Sequence, residues 1–122
     1  YLRRRGENVS SYEAEQAIRA HASVADAAVF GVPSEIGEDD VMACVVVKPG
    51  EALTFEALLA HCIGNMPYFA VPRYVEFLDE LPRNPVGRVL KHELRSRGVT
   101  GATFDRGPGR PVLPSAATGT PG

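Results

Sequence analysis

The run from Val41 to Lys48 is nearly all apolar, β-branched at Val41, Val45, Val46 and Val47, and closed by Pro49-Gly50. So little polar surface cannot face water over that length, and the run is predicted as a central strand, antiparallel or parallel to its neighbour. Everything else in the chain has to pack around it. Val24 to Val32, rich in Ala, Val and Phe and ending at Gly31-Val32-Pro33, suits a second, mostly buried strand stopped by proline. Arg73 to Leu78 sets Tyr74, Glu76 and Leu78 against Val75 and Phe77. That alternation predicts a third strand.

Helical signals lie between these strands. Ser10 and Glu13 have capping-box spacing, so a helix is expected from about Ser11, burying Ala14, Ala17, Ile18 and His21 and turning Glu13, Gln16 and Arg19 elsewhere. Thr54 can cap a second helix whose apolar stripe is Phe55, Leu58, Leu59, Cys62 and Ile63, ended by Gly64-Asn65. Pro67 to Pro72 is expected to lack regular structure. Val89 to Arg97, with Leu90 and Leu94 four apart, predicts a last helix stopped by Gly98. The expected fold is therefore α+β: a small three-stranded sheet with packed helices and a short hairpin-like segment at Tyr1 to Arg5, interrupted by Gly6. Residues 1–106 are expected to form this domain. From Gly107 the Pro/Gly-rich composition cannot bury enough apolar surface to offset its ordering entropy, so residues 107–122 are expected to be a mobile tail.

Thirteen basic and fifteen acidic side chains nearly cancel, which argues against a nucleic-acid or anionic-membrane surface, since both require a basic excess. Cys44 and Cys62 fall on apolar positions and are expected as two buried thiols. His21, His61 and His92 do not make zinc spacing with them, and the acidic loop Glu35 to Asp40 lacks the register of a calcium loop, so no metal is assigned. No apolar segment approaches the ~20 residues that cross a bilayer, and the start does not resemble an export signal. A soluble, cytoplasmic location is expected. With no initiator methionine at Tyr1, a piece of a longer protein is expected as well.

The chemistry-bearing stretch is Leu81-Pro82-Arg83-Asn84-Pro85-Val86-Gly87-Arg88-Val89-Leu90-Lys91. Its two prolines fix φ and remove two donors, which rules out a helix interior or central strand. Gly87 can turn the chain, leaving Arg88 and Lys91 at or just beyond the turn as cations for an anionic substrate.

Four blocks together carry a resemblance: Arg5-Gly6-Glu7-Asn8-Val9-Ser10-Ser11, Val29-Phe30-Gly31-Val32-Pro33, Pro67-Tyr68-Phe69-Ala70-Val71-Pro72-Arg73, and the loop from Leu81 to Arg88. In this order and with these gaps they resemble the C-terminal domain of adenylate-forming enzymes, the superfamily of acyl-CoA synthetases, peptide-synthetase adenylation domains and firefly-type luciferases. The Gly-Glu-Asn wording is most similar to the acyl-CoA synthetase branch, including carnitine- or crotonobetaine-CoA ligase-like members. The resemblance covers roughly residues 1–97.

What the resemblance implies is a mobile C-terminal lid of an ATP-dependent acyl-CoA synthetase, not active alone. The substrates would be ATP, coenzyme A and a carboxylic acid, with Mg2+ accompanying ATP mainly outside these residues. The partner would be a larger N-terminal adenylation domain of the same chain, and the hinge residue would lie at or before the start of this sequence. The family's adenylation lysine falls at Arg88, so position favours Arg88 and residue type favours Lys91. Arg5, Gly6 and Glu7 correspond to the face that approaches the pantetheine channel during thioester formation, and Arg73 is a candidate for a coenzyme A phosphate, with Arg3 and Arg4 behind it. The alternatives are an adenylation domain loading a carrier-protein thiol and, because the loop lysine is replaced, a non-catalytic interaction module with the lid fold.

Overall fold

A computed structural model describes residues 2–4, 7–34 and 37–113; within the first of these segments and at Glu7 and Asn8, the backbone alone is described. The chain opens with a small antiparallel hairpin, β1 (Leu2–Arg4) and β2 (Glu7–Val9), registered Leu2 to Val9 and Arg4 to Glu7. Helix α1 (Ser11–Arg19) follows, with Ser10 as N-cap accepting from the Glu13 amide at 3.2 Å, as the capping-box spacing predicts. β3 (Val24–Pro33) and β4 (Asp39–Val47) form a long antiparallel pair, with Ala28 opposite Cys44 and Phe30 opposite Met42. Thr54 caps α2 (Phe55–Asn65), which carries the chain back to β5 (Tyr74–Phe77), parallel to β4. α3 (Lys91–Arg97) and β6 (Phe104–Asp105) complete the order.

The sheet runs β3-β4-β5-β6. The expected α+β class holds, but the sheet has four strands where three are predicted. The fourth, β6, pairs antiparallel with β5 and is two residues long. No run of β-branched residues announces it. Its place is fixed by contacts far away in sequence: Phe104 stacks on Phe55 at 5.1 Å and meets Phe77 edge-on at 5.9 Å.

Both faces of the sheet are covered. Ala27, Val29, Val41, Ala43, Val45 and Val75 pack with Ile18 of α1 and with Leu58, Leu59 and Cys62 of α2. The alternate residues Ala28, Phe30, Val32, Met42 and Cys44 pack on the other face with Leu94 of α3 and with Leu81, which lies between β5 and α3. Period-two alternation divides one apolar run between two cores, which is why β4 reads as almost continuous hydrophobicity.

Two local expectations change. Pro67 to Pro72 contains a single 3-10 turn at Tyr68–Ala70, since a short turn needs no donor from either flanking proline. The last helix begins at Lys91 instead of Val89, because Val89 is held in an antiparallel bridge with Arg83. It ends at Gly98, whose φ of 61° and ψ of −151° suit glycine. Arg106, the last residue of the expected domain, donates to the carbonyls of Gly107 and Gly109, and the Arg110 guanidinium lies 4.2 Å from the Tyr68 ring centroid; residues 114–122 of the expected tail lie outside the described residues.

Cys44 and Cys62 are buried and unbridged. Burial, with Glu76 beside it, pushes the Cys44 thiol up to about 12, and burial alone does the same to Cys62. Among the described residues no helix is long and apolar enough to cross a membrane.

A candidate active-site loop and its charged bracket

The loop between β5 and α3 is built on Asn84. Its side-chain oxygen accepts from the Val86 amide at 3.1 Å and the Arg88 amide at 2.9 Å. Its backbone N–H donates to the Arg88 carbonyl, and its carbonyl accepts from Gly87, both at 2.9 Å. Asparagine closes turns by such bonds to its own downstream backbone. Gly87 takes φ 90°, in the left-handed region where a side chain is strained. The result is a tight, internally bonded turn with Val86 at its tip, 87% exposed, and Arg88 on its returning limb.

Arg88 is exposed, and its guanidinium makes no hydrogen bond or ion pair among the described residues. Lys91 is placed differently. Its ammonium lies 2.6 Å from Glu15 Oε2, and that same oxygen accepts the Val29 amide at 2.8 Å. Two candidate cations three residues apart are thus unlike: one faces outward, the other is engaged by a buried carboxylate.

Glu15 belongs to a longer chain of charges. Arg19 reaches Glu15 at 3.8 Å and Asp26 at 3.4 Å, and Asp26 is paired with Arg83. Arg83 in turn donates to the Gly87 carbonyl at 2.6 Å. The order Lys91, Glu15, Arg19, Asp26, Arg83 alternates in sign and follows the open edge of β3, the first strand of the sheet order. Along that edge Glu15 accepts from Val29 N–H, and Arg19 donates to the Ala27 carbonyl at 3.1 Å. Side chains of α1 therefore occupy backbone groups that an edge strand otherwise leaves open.

Arg73 sits at the opposite side of the sheet. Its Nε and Nη2 donate to the two Asp105 carboxylate oxygens at 2.9 and 3.2 Å, Nη1 donates to Asp40 at 3.3 Å, and its guanidinium carbon lies 4.8 Å from the Tyr74 ring centroid. The Arg73 hydrogen bond holds the Asp105 carboxyl below its ordinary value, and the same bond raises the arginine. A phosphate at Arg73 would have to compete with two carboxylates. Arg5 and Gly6 lie outside the described residues, and Glu7 is seen as backbone of β2 paired with Arg4. The structure thus places Arg88 and Lys91 on one segment and does not bring Arg73 to them.

An open groove of about 330 Å³ lies between the start of α1 and the end of α2, lined by Val9, Ser10, Glu13, Met66, Phe69 and others. None of Arg73, Arg88 and Lys91 lines it. Among the described residues there is no cluster of three or more His, Cys, Asp or Glu arranged to hold a metal ion.

Asp26, Glu15, Arg83 and Asn84 carry this geometry without standing out as candidates in the sequence. Asn84 had a signal, as an asparagine three residues before a turn glycine. Asp26 and Arg83 are 57 residues apart, and no local pattern joins them.

Comparison with known proteins agrees with this architecture. The model of the AMP-binding enzyme C-terminal domain matches residues 13–88. A crotonobetaine/carnitine–CoA ligase of Proteus mirabilis is 46% identical over 94 residues, covering 77% of this chain and 18% of the relative. A long-chain-fatty-acid–CoA ligase of Yersinia pestis is 43% identical over 100 residues, covering 82% and 18%. The crystal structure of ATP-bound MatB from Rhodopseudomonas palustris superposes with a TM-score of 0.74 at 36% identity, covering 79% of this chain and 19% of that one. The chain thus spans under a fifth of the length of these curated relatives. With β3, β4, α2, β5 and the loop leading to Arg88 all inside the matched region, the chain belongs to the family of AMP-binding enzyme C-terminal domains.

Proposed function

We propose that this chain is the C-terminal lid of an ATP-dependent, AMP-forming acyl-CoA ligase, working against a larger N-terminal domain of the same protein. In the first step a carboxylate oxygen attacks the α-phosphorus of ATP, the bond to the bridging oxygen breaks, and pyrophosphate leaves. In the second the thiolate of coenzyme A attacks the acyl carbonyl and AMP departs. Mg2+ would travel with ATP and be held mainly outside these residues. The similarity to two CoA ligases and to ATP-bound MatB supports this reading.

The observation that carries it is the state of Arg88. A tight, internally bonded turn presents a guanidinium with no hydrogen-bond or ion-pair partner among the described residues, the arrangement that lets a fixed positive charge meet negative charge developing on a phosphoryl group without first breaking such a contact. Lys91, held by Glu15, would have to leave a buried carboxylate to do the same. Arg88 is therefore the adenylation cation of this proposal, and the Arg5-Gly6-Glu7 turn is the surface turned towards the pantetheine chain in the second step.

The test uses the full-length protein. Acid-dependent exchange of labelled pyrophosphate into ATP measures adenylation, and transfer from supplied acyl-adenylate to coenzyme A measures the second step. Both are expected, with Arg88→Ala slowing the first more than the second. No acid-dependent exchange with any of a panel of short-, medium- and long-chain acids overturns the proposal.

A further inference from the structure

Arg83 and Arg88 flank one turn and do opposite things. Arg83 divides its fork between two acceptors: Nη1 donates to the Gly87 carbonyl at 2.6 Å, on the residue immediately before Arg88, and Nη2 is paired with Asp26 on β3. Asp26 is itself pinned. Its Oδ1 accepts the Ala27 amide at 2.9 Å and Arg19 Nε at 3.4 Å. Beyond Arg88, Lys91 is fastened to Glu15. The limbs on both sides of Arg88 are thus tied to the α1–β3 edge, and the exposed Arg88 guanidinium between them has no hydrogen-bond or ion-pair partner among the described residues.

We propose that Asp26 and Arg83 are positioning residues for adenylation, fixing the Gly87–Arg88 peptide so that the Arg88 guanidinium is held at one place relative to the α-phosphate. The proposal rests on the reading of Arg88 given above. Asp26 touches no substrate in it. The physical ground is that charge stabilisation depends on placement, and a displacement of about 1 Å costs roughly 100-fold in rate. The planar fork of Arg83 reaches the carboxylate and the carbonyl from two separate nitrogens, whereas a lysine ammonium is one compact nitrogen on a shorter reach, so lysine at position 83 is expected to keep its charge near Asp26 while releasing Gly87. Such a partly exposed pair contributes little to global stability. Its removal is therefore expected to loosen the turn without unfolding the sheet.

The experiment compares Asp26→Asn, Asp26→Glu and Arg83→Lys in the full-length protein, reading amide hydrogen exchange of residues 84–89 and of β4 together with the two half-reactions. In Asp26→Asn and Arg83→Lys the turn is expected to exchange about tenfold faster while β4 is unchanged. The kcat of pyrophosphate exchange should fall about 10- to 100-fold with little change in KM for ATP. Transfer from supplied adenylate should stay within about twofold, and Asp26→Glu should recover most of the lost rate. Unchanged turn exchange overturns the proposal, as does an equal loss in both half-reactions or failure of Asp26→Glu to restore the rate. If Asp26→Asn speeds exchange in β4 as well, Arg83→Lys decides on the same criteria. A wild-type protein with no acid-dependent exchange defeats the functional reading instead, and unchanged or faster turn exchange then decides the bracket by itself.

Discussion

The ammonium of Lys91 lies 2.6 Å from Glu15 Oε2, an oxygen that also accepts the Val29 amide at the open edge of β3. The pair ties the first residue of α3 to α1 across that edge, joining the helices that cover the two faces of the sheet. Glu15 is 7% exposed, so these partners stand in for the water its carboxylate has lost. Replacing Glu15 by alanine removes both the ion pair and the acceptor for Val29. A loss of about 2 kcal/mol is expected, within the usual range for a buried group left without its partner. Glu15→Gln, which keeps an oxygen for the Val29 N–H, should lose less. Denaturant unfolding of the three proteins checks the order.

Arg88→Ala removes an exposed side chain that makes no hydrogen bond or ion pair among the described residues. Thermal stability should be unchanged, whereas acid-dependent pyrophosphate exchange should fall ~10²- to 10³-fold, the scale for loss of one preorganised charge or donor. Lys91→Ala should show the opposite balance, a clear drop in melting temperature with a smaller loss of rate. A stable Lys91→Ala protein with the larger kinetic defect would reverse the assignment of the two cations.

Strong acid should weaken the Arg73–Asp105 pair on the far side of the sheet. Asp105 is held below its ordinary value of 3.8 by Arg73, so its ion pair stabilises the fold above that pH and is lost as pH falls through the lowered value. The Asp105 side chain is 41% exposed, which limits the contribution to about 0.5 kcal/mol. Asp105→Asn should therefore be slightly less stable than the parent at pH 7. The difference should shrink as pH falls below 3.8, as urea midpoints measured at pH 7 and pH 3 would show.

Both thiols are expected to resist alkylation. Burial pushes Cys44 and Cys62 up to about 12, leaving almost no thiolate at pH 8 and little access to it. Mass spectrometry after iodoacetamide treatment should find neither residue modified in the folded protein and both modified in urea. Rapid native labelling of Cys62 would show that α2 opens locally.

Much of the framework was legible because its causes are local. Ser10 and Thr54 announce their helices by a hydrogen bond three residues on, Val41 to Val47 cannot face water, and Pro82, Pro85 and Gly87 leave the cationic loop few conformations. The order of four blocks carried the family, which rests on words in a row and not on contacts. The third strand was visible in the alternation of Tyr74 to Leu78, but the burial of Glu76 within it was not. That carboxylate is held by Arg97 at 2.5 Å and by the hydroxyls of Thr100 and Thr103, residues at least 21 positions away.

What the sequence determined by itself was the three helices, three of the four sheet strands, the α+β class and a loop that must hold a cation on a turn. Tertiary structure alone decided which cation faces outward. Charge type makes Arg83, Arg88 and Lys91 equivalent at a distance, and only the fold brings Asp26 to the first and Glu15 to the last. It also decided the fourth strand, where two residues are held by an aromatic stack and a salt bridge to distant positions and not by any preference of their own. Ion pairing and edge pairing depend on which surfaces meet, and that information is spread over the whole chain.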